Sequence, residues 1–349
     1  MIKRILKRLS KIPVPIPHKN PRRAIAFMRS FLGRPFNVAG LFFLSMIMLA
    51  AIFADFIASE TPIAFMLDDE LYLFPGRFKP VGMENPTNEK VLLALEDSPG
   101  WALLPLVPYG PNQIKTWGQI RRLYPPDGDH LLGTDDKGRD VLARMVHGAR
   151  SALAVGLGSV ALYLLVAVIL GATAGYFGGR VDRLTLRLIE SLSSFPTFFL
   201  IIALQGLLGA TSLVQLILAI GLTRWTDVAR LTRGEVLRVS NEDFVLAARA
   251  LGLGHLRVLA THVLPQAMGP AYVAATFGVA GAILIESTLS FLGFGVPPTT
   301  ASWGHLLTDA FQNTGCYWLT IFPGLAIFFT ILSINIVGEG LRESLDPSR

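Results

Sequence analysis

Glu286 is the side chain whose surroundings make chemistry most conspicuous. It lies in an otherwise uncharged apolar run, ILIESTLSF at 283–291, where an ionisable group is costly and reads by default as a functional position. Two roles fit it. It faces a translocation path or a second subunit, with Ser290 one turn further on, or it makes a structural hydrogen bond to Ser287 or a neighbouring span. Gln205, Ser290 and Asn335 read first as polar contacts between helices. The six histidines, His18, His130, His147, His255, His262 and His305, all fall outside the apolar runs. No Ser–His pair or metal cluster is therefore expected within those runs. Cys316 is the only cysteine, which excludes an intrachain disulfide. DDKGRD at 135–140 is rich in acids but lacks the alternating acids and closing Glu of a calcium loop. No G-x4-G-K-[ST] phosphate loop occurs, so the chain is expected to be non-catalytic toward ATP.

A second stretch, EDFVLAARALGLGHLRVLATHVLP at 242–265, is charged, helix-prone and interrupted by glycine. Asn241 stands where a helix N-cap would. Phe244, Ala247, Ala248 and Leu251 recur at helical spacing. Gly252 and Gly254 then break the helix, and a second short helix over 255–262 is expected to end before Pro265. Gly252 is expected to take a positive φ that other residues resist. Such an elbow has no pocket of its own. It offers Ala247, Ala248 and Leu251 as a small apolar face, the kind of spaced anchor a partner's groove accepts. A solvated linker would account for the charges but not for small apolar residues gathered at a glycine turn.

The elements that must hold these residues follow from composition. Of 349 residues, 52% are hydrophobic and 16% charged, with mean hydropathy +0.50, against about 25% charged residues in soluble domains. A polytopic membrane protein is expected, all-α, with six transmembrane helices and both termini cytoplasmic. A spanning helix needs about 20 apolar residues. The candidates are 39–57, 151–177, about 192–209 with Pro196 in its first turn, a weak one from Ser212 to Leu222, about 268–292 and about 317–338. Residues 1–38 carry ten Lys and Arg and no acid, the mark of a cytoplasmic flank rather than a nucleic-acid arm. The loop 178–190 and the region 224–266 are rich in arginine and are expected inside, with 224–241 a polar helix-like stretch. Residues 58–150 form a long extracytoplasmic segment, and 341–349 a cytoplasmic tail. Within 58–150, Thr134 and Asp135 are expected to cap an amphipathic surface helix near 137–148, from which Gly148 turns the chain into the second span. The core, 151–340, contains the elbow. Gly171 and Gly175 form a GxxxG spacing that reads as helix packing.

The motifs then point to a family. Ala247, Ala248, Gly252, Leu264 and Pro265 match in register the coupling motif E-A-A-x3-G-x9-I-x-L-P of ABC-importer permeases, with Leu246 where Glu is usual and His262 where Ile is usual. GTDDKGRDVLARMVHGARSAL at 133–153, SFPT at 194–197 and ESTLSFLGFGVPPTTASWG at 286–304 resemble blocks of the dipeptide and oligopeptide permeases, C-type subunit. The resemblance covers about 130–349. The extra length of 58–130 resembles the subgroup importing microcin C and related peptides. The resemblance implies a bacterial inner-membrane permease whose coupling residues are Asp243, Ala247, Ala248, Arg249, Ala250, Leu251, Gly252, Leu253, Gly254 and Pro265. It also implies partners: a second homologous permease, two ATPase subunits that hold the ATP and Mg²⁺, and an extracytoplasmic substrate-binding protein. No cofactor or metal is expected on this chain.

Overall fold

In a computed structural model the described residues are 31–76, 78, 86–114, 121–209 and 212–345. The expected basic arm before residue 31, the connection at 210–211 and the tail beyond 345 lie outside them. Four helices among the described residues are long and apolar enough to cross a membrane: Pro35–Ile52 (α1), Val141–Phe177 (α4), Gly269–Phe291 (α12) and most of Tyr317–Leu345 (α14). A fifth candidate is broken. Gly179–Ser193 (α5) and Thr197–Leu208 (α6) meet at 83°. The break falls at Ser194, Phe195 and Pro196. A proline disfavours helical backbone in the residue before it, so Pro196 caps α6 instead of lying inside the first turn of a continuous span.

No separate surface helix near 137–148 exists. One helix of 37 residues runs unbroken from Val141, about 55 Å at 1.5 Å per residue. Its N-cap is Asp140, which accepts the Ala143 N–H at 2.8 Å, and not Thr134 or Asp135. Gly148 is not a hinge. A β-carbon there would come within 2.8 Å of the Trp303 ring, so the glycine serves a close approach. Gly171 and Gly175 do the same along the expected seam, each lying against a backbone carbonyl, of Ala229 and Arg233 respectively.

The weak fourth candidate is the apolar helix Leu213–Thr223 (α7), which ends one residue past the expected limit at Leu222. After a bridge-region residue at Arg224, Trp225–Ser240 (α8) continues. Ile217 lies against Gly158, Leu162 against Gly221, Ala229 against Gly171 and Arg233 against Gly175. Thus α7 and α8 together run alongside α4 in the same direction. Residues 225–240 form a helix, as their polar helix-like stretch at 224–241 leads one to expect, and it packs on α4. Their arginines and two acids mask an inward stripe of Val228, Ala229, Thr232, Val236 and Val239, all buried. Arg233 is tied by both nitrogens of its fork to Asp182 on α5, with Nη2–Oδ2 at 2.7 Å.

Helix α12 lies antiparallel to α4, with Gly278 against Tyr163 and Gly156 against Ile283. α1 lies antiparallel to α14, with Gly40 against Ile336 and Phe43 stacked on Phe329 at 5.5 Å.

The expectation of an all-α chain fails in one place. The segment after α1 and a short helix, Ala54–Ile57 (α2), holds a three-stranded antiparallel sheet. Ala64–Leu67 (β1) sits between Glu70–Leu73 (β2) and Gly100–Leu103 (β3), with helix Asn88–Asp97 (α3) beside it. Asp68 and Asp69, both at positive φ, make the two-residue turn that suits the right-handed twist of a hairpin. Asn88 ties this unit down by donating to Ser59 O at 2.8 Å and Pro108 O at 3.0 Å.

Candidate functional site

The elbow begins where α8 stops. Asn241 ends α8 rather than capping the next helix, and its side-chain amide donates to Leu237 O at 2.8 Å. Glu242 is the N-cap of Asp243–Ala250 (α9) and makes no side-chain cap bond. The C-terminus of α9 is a closed Schellman turn. The Gly252 N–H donates to Arg249 O at 2.9 Å, the Leu253 N–H reaches back to Ala248 O at 3.3 Å, and Gly252 has φ +82°. Leu253 packs on the apolar cluster beneath. Gly254, at φ −64°, needs no special freedom and starts His255–Val258 (α10). The second helix does not end before Pro265. It passes through a π turn at Leu259–Val263 into Leu264–Ala267 (α11). The proline sits in the first turn of α11, where its missing N–H costs little.

This winding divides the elbow into two faces. Val245, Ala248, Val258, Leu259, Val263 and Ala267 are buried against Ala172 of α4 and Val236 and Val239 of α8. Ala248 therefore belongs to the inner face and not to the partner-facing one expected of it. Asp243, Phe244, Leu246, Ala247, Ala250, Leu251 and Leu256 are exposed, with Leu251 at 72% and Leu256 at 73%. Four large apolar side chains thus stand in solvent at one tip. Pro265 is also exposed.

One anchor had no signal in the motif. Tyr176, at the last turn of α4, lies under the Arg249 guanidinium, 4.7 Å from ring centroid to Cζ. Its hydroxyl approaches His255 Nδ1 at 3.4 Å. Tyr176 therefore clips both arms of the elbow to the end of α4, and Arg249 on an amphipathic helix gave no hint of this cation–π contact.

Glu286 is 0% exposed. Its carboxylate accepts from Ser302 at 2.7 Å, Ser290 at 2.9 Å and Ser287 at 3.2 Å. Neither Glu286 nor Ser290 reaches a surface of this subunit. Together they hold the loop that leads into Trp303–Gln312 (α13). Trp303 in turn donates to Met145 O of α4 at 2.9 Å.

The block 133–144 is a second dense knot. Asp135 accepts from the backbone N–H of Lys137 and of Arg139, both at 2.9 Å, and from Arg139 Nε at 2.6 Å. Arg144, fully buried, lies 3.5 Å from the same carboxylate. His130 Nδ1 meets Asp140 at 2.8 Å. Asp135, Asp136 and Asp309 bring carboxylate oxygens within 4.8 Å of one another, with Arg139 and Arg144 set among them. Two guanidinium groups against three carboxylates make this an ion-pair network rather than a cation cage. Burial, reinforced by Asp136 and Asp135 and opposed by Arg144 and Arg139, pushes Asp309 up to about 7. Burial, and then the Arg144 charge, takes His305 down to about 4.

A bundle of close-packed apolar helices, with one organised elbow at its tip, defines a helical integral-membrane protein. The chain belongs to the family described as binding-protein-dependent transport system inner membrane component, whose profile matches residues 167–349. It is 40% identical over 239 residues to the dipeptide transport system permease protein DppC of Bacillus subtilis, covering 68% of this chain and 74% of that one. It is also 40% identical over 224 residues to the oligopeptide transport system permease protein OppC of the same organism, covering 64% and 73%. The nickel transport system permease protein NikC of Escherichia coli is 38% identical over 242 residues, covering 69% and 86%. A solved structure of the MetNI methionine ABC transporter, inward facing, aligns at TM-score 0.47 and 16% identity, covering 59% of this chain and 98% of that one. The chain is an ABC-transporter permease of the inner membrane.

Proposed function

We propose that this chain is one transmembrane subunit of an ATP-driven importer for peptides or peptide-like compounds, working by alternating access. The observation that carries the reading is the elbow: a Schellman-closed turn, buried on one side and clipped to α4 by Tyr176, with Phe244, Leu246, Leu251 and Leu256 exposed on the other. Two separate ATPase subunits, which hold the ATP and Mg²⁺, seat on that exposed face. Their closure pushes α9, and the inner face passes the push to α4 and α8. The chain itself is the non-catalytic partner.

In this reading six segments cross the bilayer, formed by α1, α4, α5 with α6, α7 with α8, α12 and α14. Both chain ends and the elbow face the cytoplasm, and the sheet-bearing unit and α13 lie outside. A second homologous permease completes the path, and an extracytoplasmic binding protein delivers cargo. Glu286 acts as the anchor of the outer loop rather than as a path residue. The peptide-permease relatives support a peptide cargo. The nickel-permease relative supports a second reading, a chelated metal as cargo.

Co-purification tests the assembly. An ATPase subunit should accompany the wild-type chain and be lost from Leu251→Asp, with membrane levels unchanged. Retention of the ATPase by that variant refutes the docking role. Uptake of a labelled peptide, with and without competing nickel, separates the two cargo readings.

A further inference from the structure

Arg224, Asp227 and Arg230 stand at and beyond the junction of α7 with α8, and the packing of these helices on α4 fixes the depth of Arg224. Gly221 abuts Leu162 and Ala229 abuts Gly171, so Arg224 lies between those two levels of α4. Both levels fall within 151–177, a stretch of α4 without a single charge. An independent contact gives the same depth. The Arg224 guanidinium packs over Gly281 of α12, with Nη1 3.2 Å from where a β-carbon would stand. Gly281 is close to the centre of Gly269–Phe291. Arg224 is half-buried, and Asp227 and Arg230, further along α8, are exposed. Among the described residues none of the three side chains makes a hydrogen bond or ion pair.

Charges at this depth are not left against lipid. An ionised group at a helix centre is costly, and such groups face a bundle interior or a water-filled cavity. The neighbouring contacts show why Arg224 can reach that space. Gly278 accommodates the Tyr163 ring and Gly281 the guanidinium, so two large polar side chains share a face of α12 from which side chains have been removed.

We propose that the Arg224–Asp227–Arg230 face of α8 lines the aqueous path, and that Arg224 is its mid-membrane site for the carboxylate of the passing cargo. The carboxylate assignment rests on the peptide reading; the path assignment does not. A planar fork with no competing acid partner fits a carboxylate in two-point contact. Asp227 follows by three residues, on the same side of the helix. It keeps the face from being uniformly cationic, so a carboxylate is received without being trapped.

Two measurements on the assembled complex in membranes test this. First, Asp227→Cys and Arg230→Cys, in a Cys316→Ser background, are exposed to a charged, water-soluble thiosulfonate. Modification of both, slowed by excess peptide, supports the path. Inertness of both overturns it, because the face is then covered by lipid or by the second permease. Second, uptake of a peptide with a free C-terminus is compared with that of its C-terminal amide. Arg224→Gln should cut uptake of the free acid about tenfold and leave the amide nearly unchanged, with Arg224→Lys in between. Equal loss for both peptides overturns the carboxylate site and makes Arg224 structural. If the wild-type complex takes up neither peptide, the peptide reading and the carboxylate site both fall, and the thiol labelling still decides the path.

Discussion

The two ends of the bundle solve opposite problems. At the elbow, the polar ties to α4 are few: one cation–π contact and one long hydroxyl–imidazole approach. At the other end, Asp135, Arg139, Arg144, Asp140, His130 and the Glu286 serines form buried networks of carboxylates, guanidinium groups, an imidazole and hydroxyls. The contrast is between a surface left open for a partner to grip and a knot closed so that the ends of α4, α12 and α14 keep their spacing. Trp318 donating to Thr134 O at 3.1 Å and Trp303 donating to Met145 O span that closed end. A push at the open end is useful only if the closed end does not yield.

The largest effect should come from breaking the knot. Asp135→Ala strips Arg139 of its nearest carboxylate and removes the one 3.5 Å from the fully buried Arg144. Removing one partner of a buried pair costs about 3–5 kcal/mol. Melting of the purified protein in detergent should move sharply down and membrane levels should fall. Phe244→Ala, at the open end, should change neither, since that side chain is exposed. Equal loss in the two variants would erase the distinction between the ends.

Next in size is the turn. Gly252 sits at φ +82° with no atom within 4 Å of a β-carbon placed there, so the penalty for a side chain is purely conformational. The left-handed region costs an ordinary residue about 1–2 kcal/mol, and a β-branched one resists it further. Gly252→Val should therefore reshape the elbow without unfolding the bundle: peptide uptake lost, membrane level kept. Gly254→Ala, at φ −64°, should transport normally. Normal uptake by Gly252→Val would remove the turn from the coupling account.

The sequence showed the elbow, the left-handed glycine and the GxxxG seam because each is written in local chemistry. The period of Phe244, Ala247 and Leu251 is helical whatever surrounds it. What it hid lies in tertiary contacts. Ala248 and Ala247 are identical side chains on adjacent positions, and only packing on Val236 and Val239 sends one inward. Gly148 read as a turn because a glycine beside a polar stretch usually is one, yet here it makes room for Trp303, more than 150 residues later. The inward stripe of α8 was hidden because Arg224, Asp227 and Arg230 dominate its pattern, and only packing buries Val228, Ala229, Val236 and Val239. The sheet went unseen because strands of four residues, such as AFML and ELYL, carry too little alternation to announce themselves.

The smallest effect is the one most specific to the closed end. Asp309 binds its proton more tightly in the folded chain, near 7 against 3.8. Its contribution to stability is present below about 4 and is lost as pH rises through 7. His305 is the reverse, near 4 against 6.5. Its contribution is present above 6.5 and is lost as pH falls through 4. Between pH 4 and 6.5 the two slopes oppose each other, so the wild-type melting temperature should vary little there. Asp309→Asn should leave the histidine slope alone, with melting temperature rising from pH 4 to 6.5. His305→Gln should leave the carboxyl slope, with melting temperature falling from pH 4 to 7. Variants that both stay flat would show that α13 does not bury these groups, and the closed end would be no tighter than the elbow.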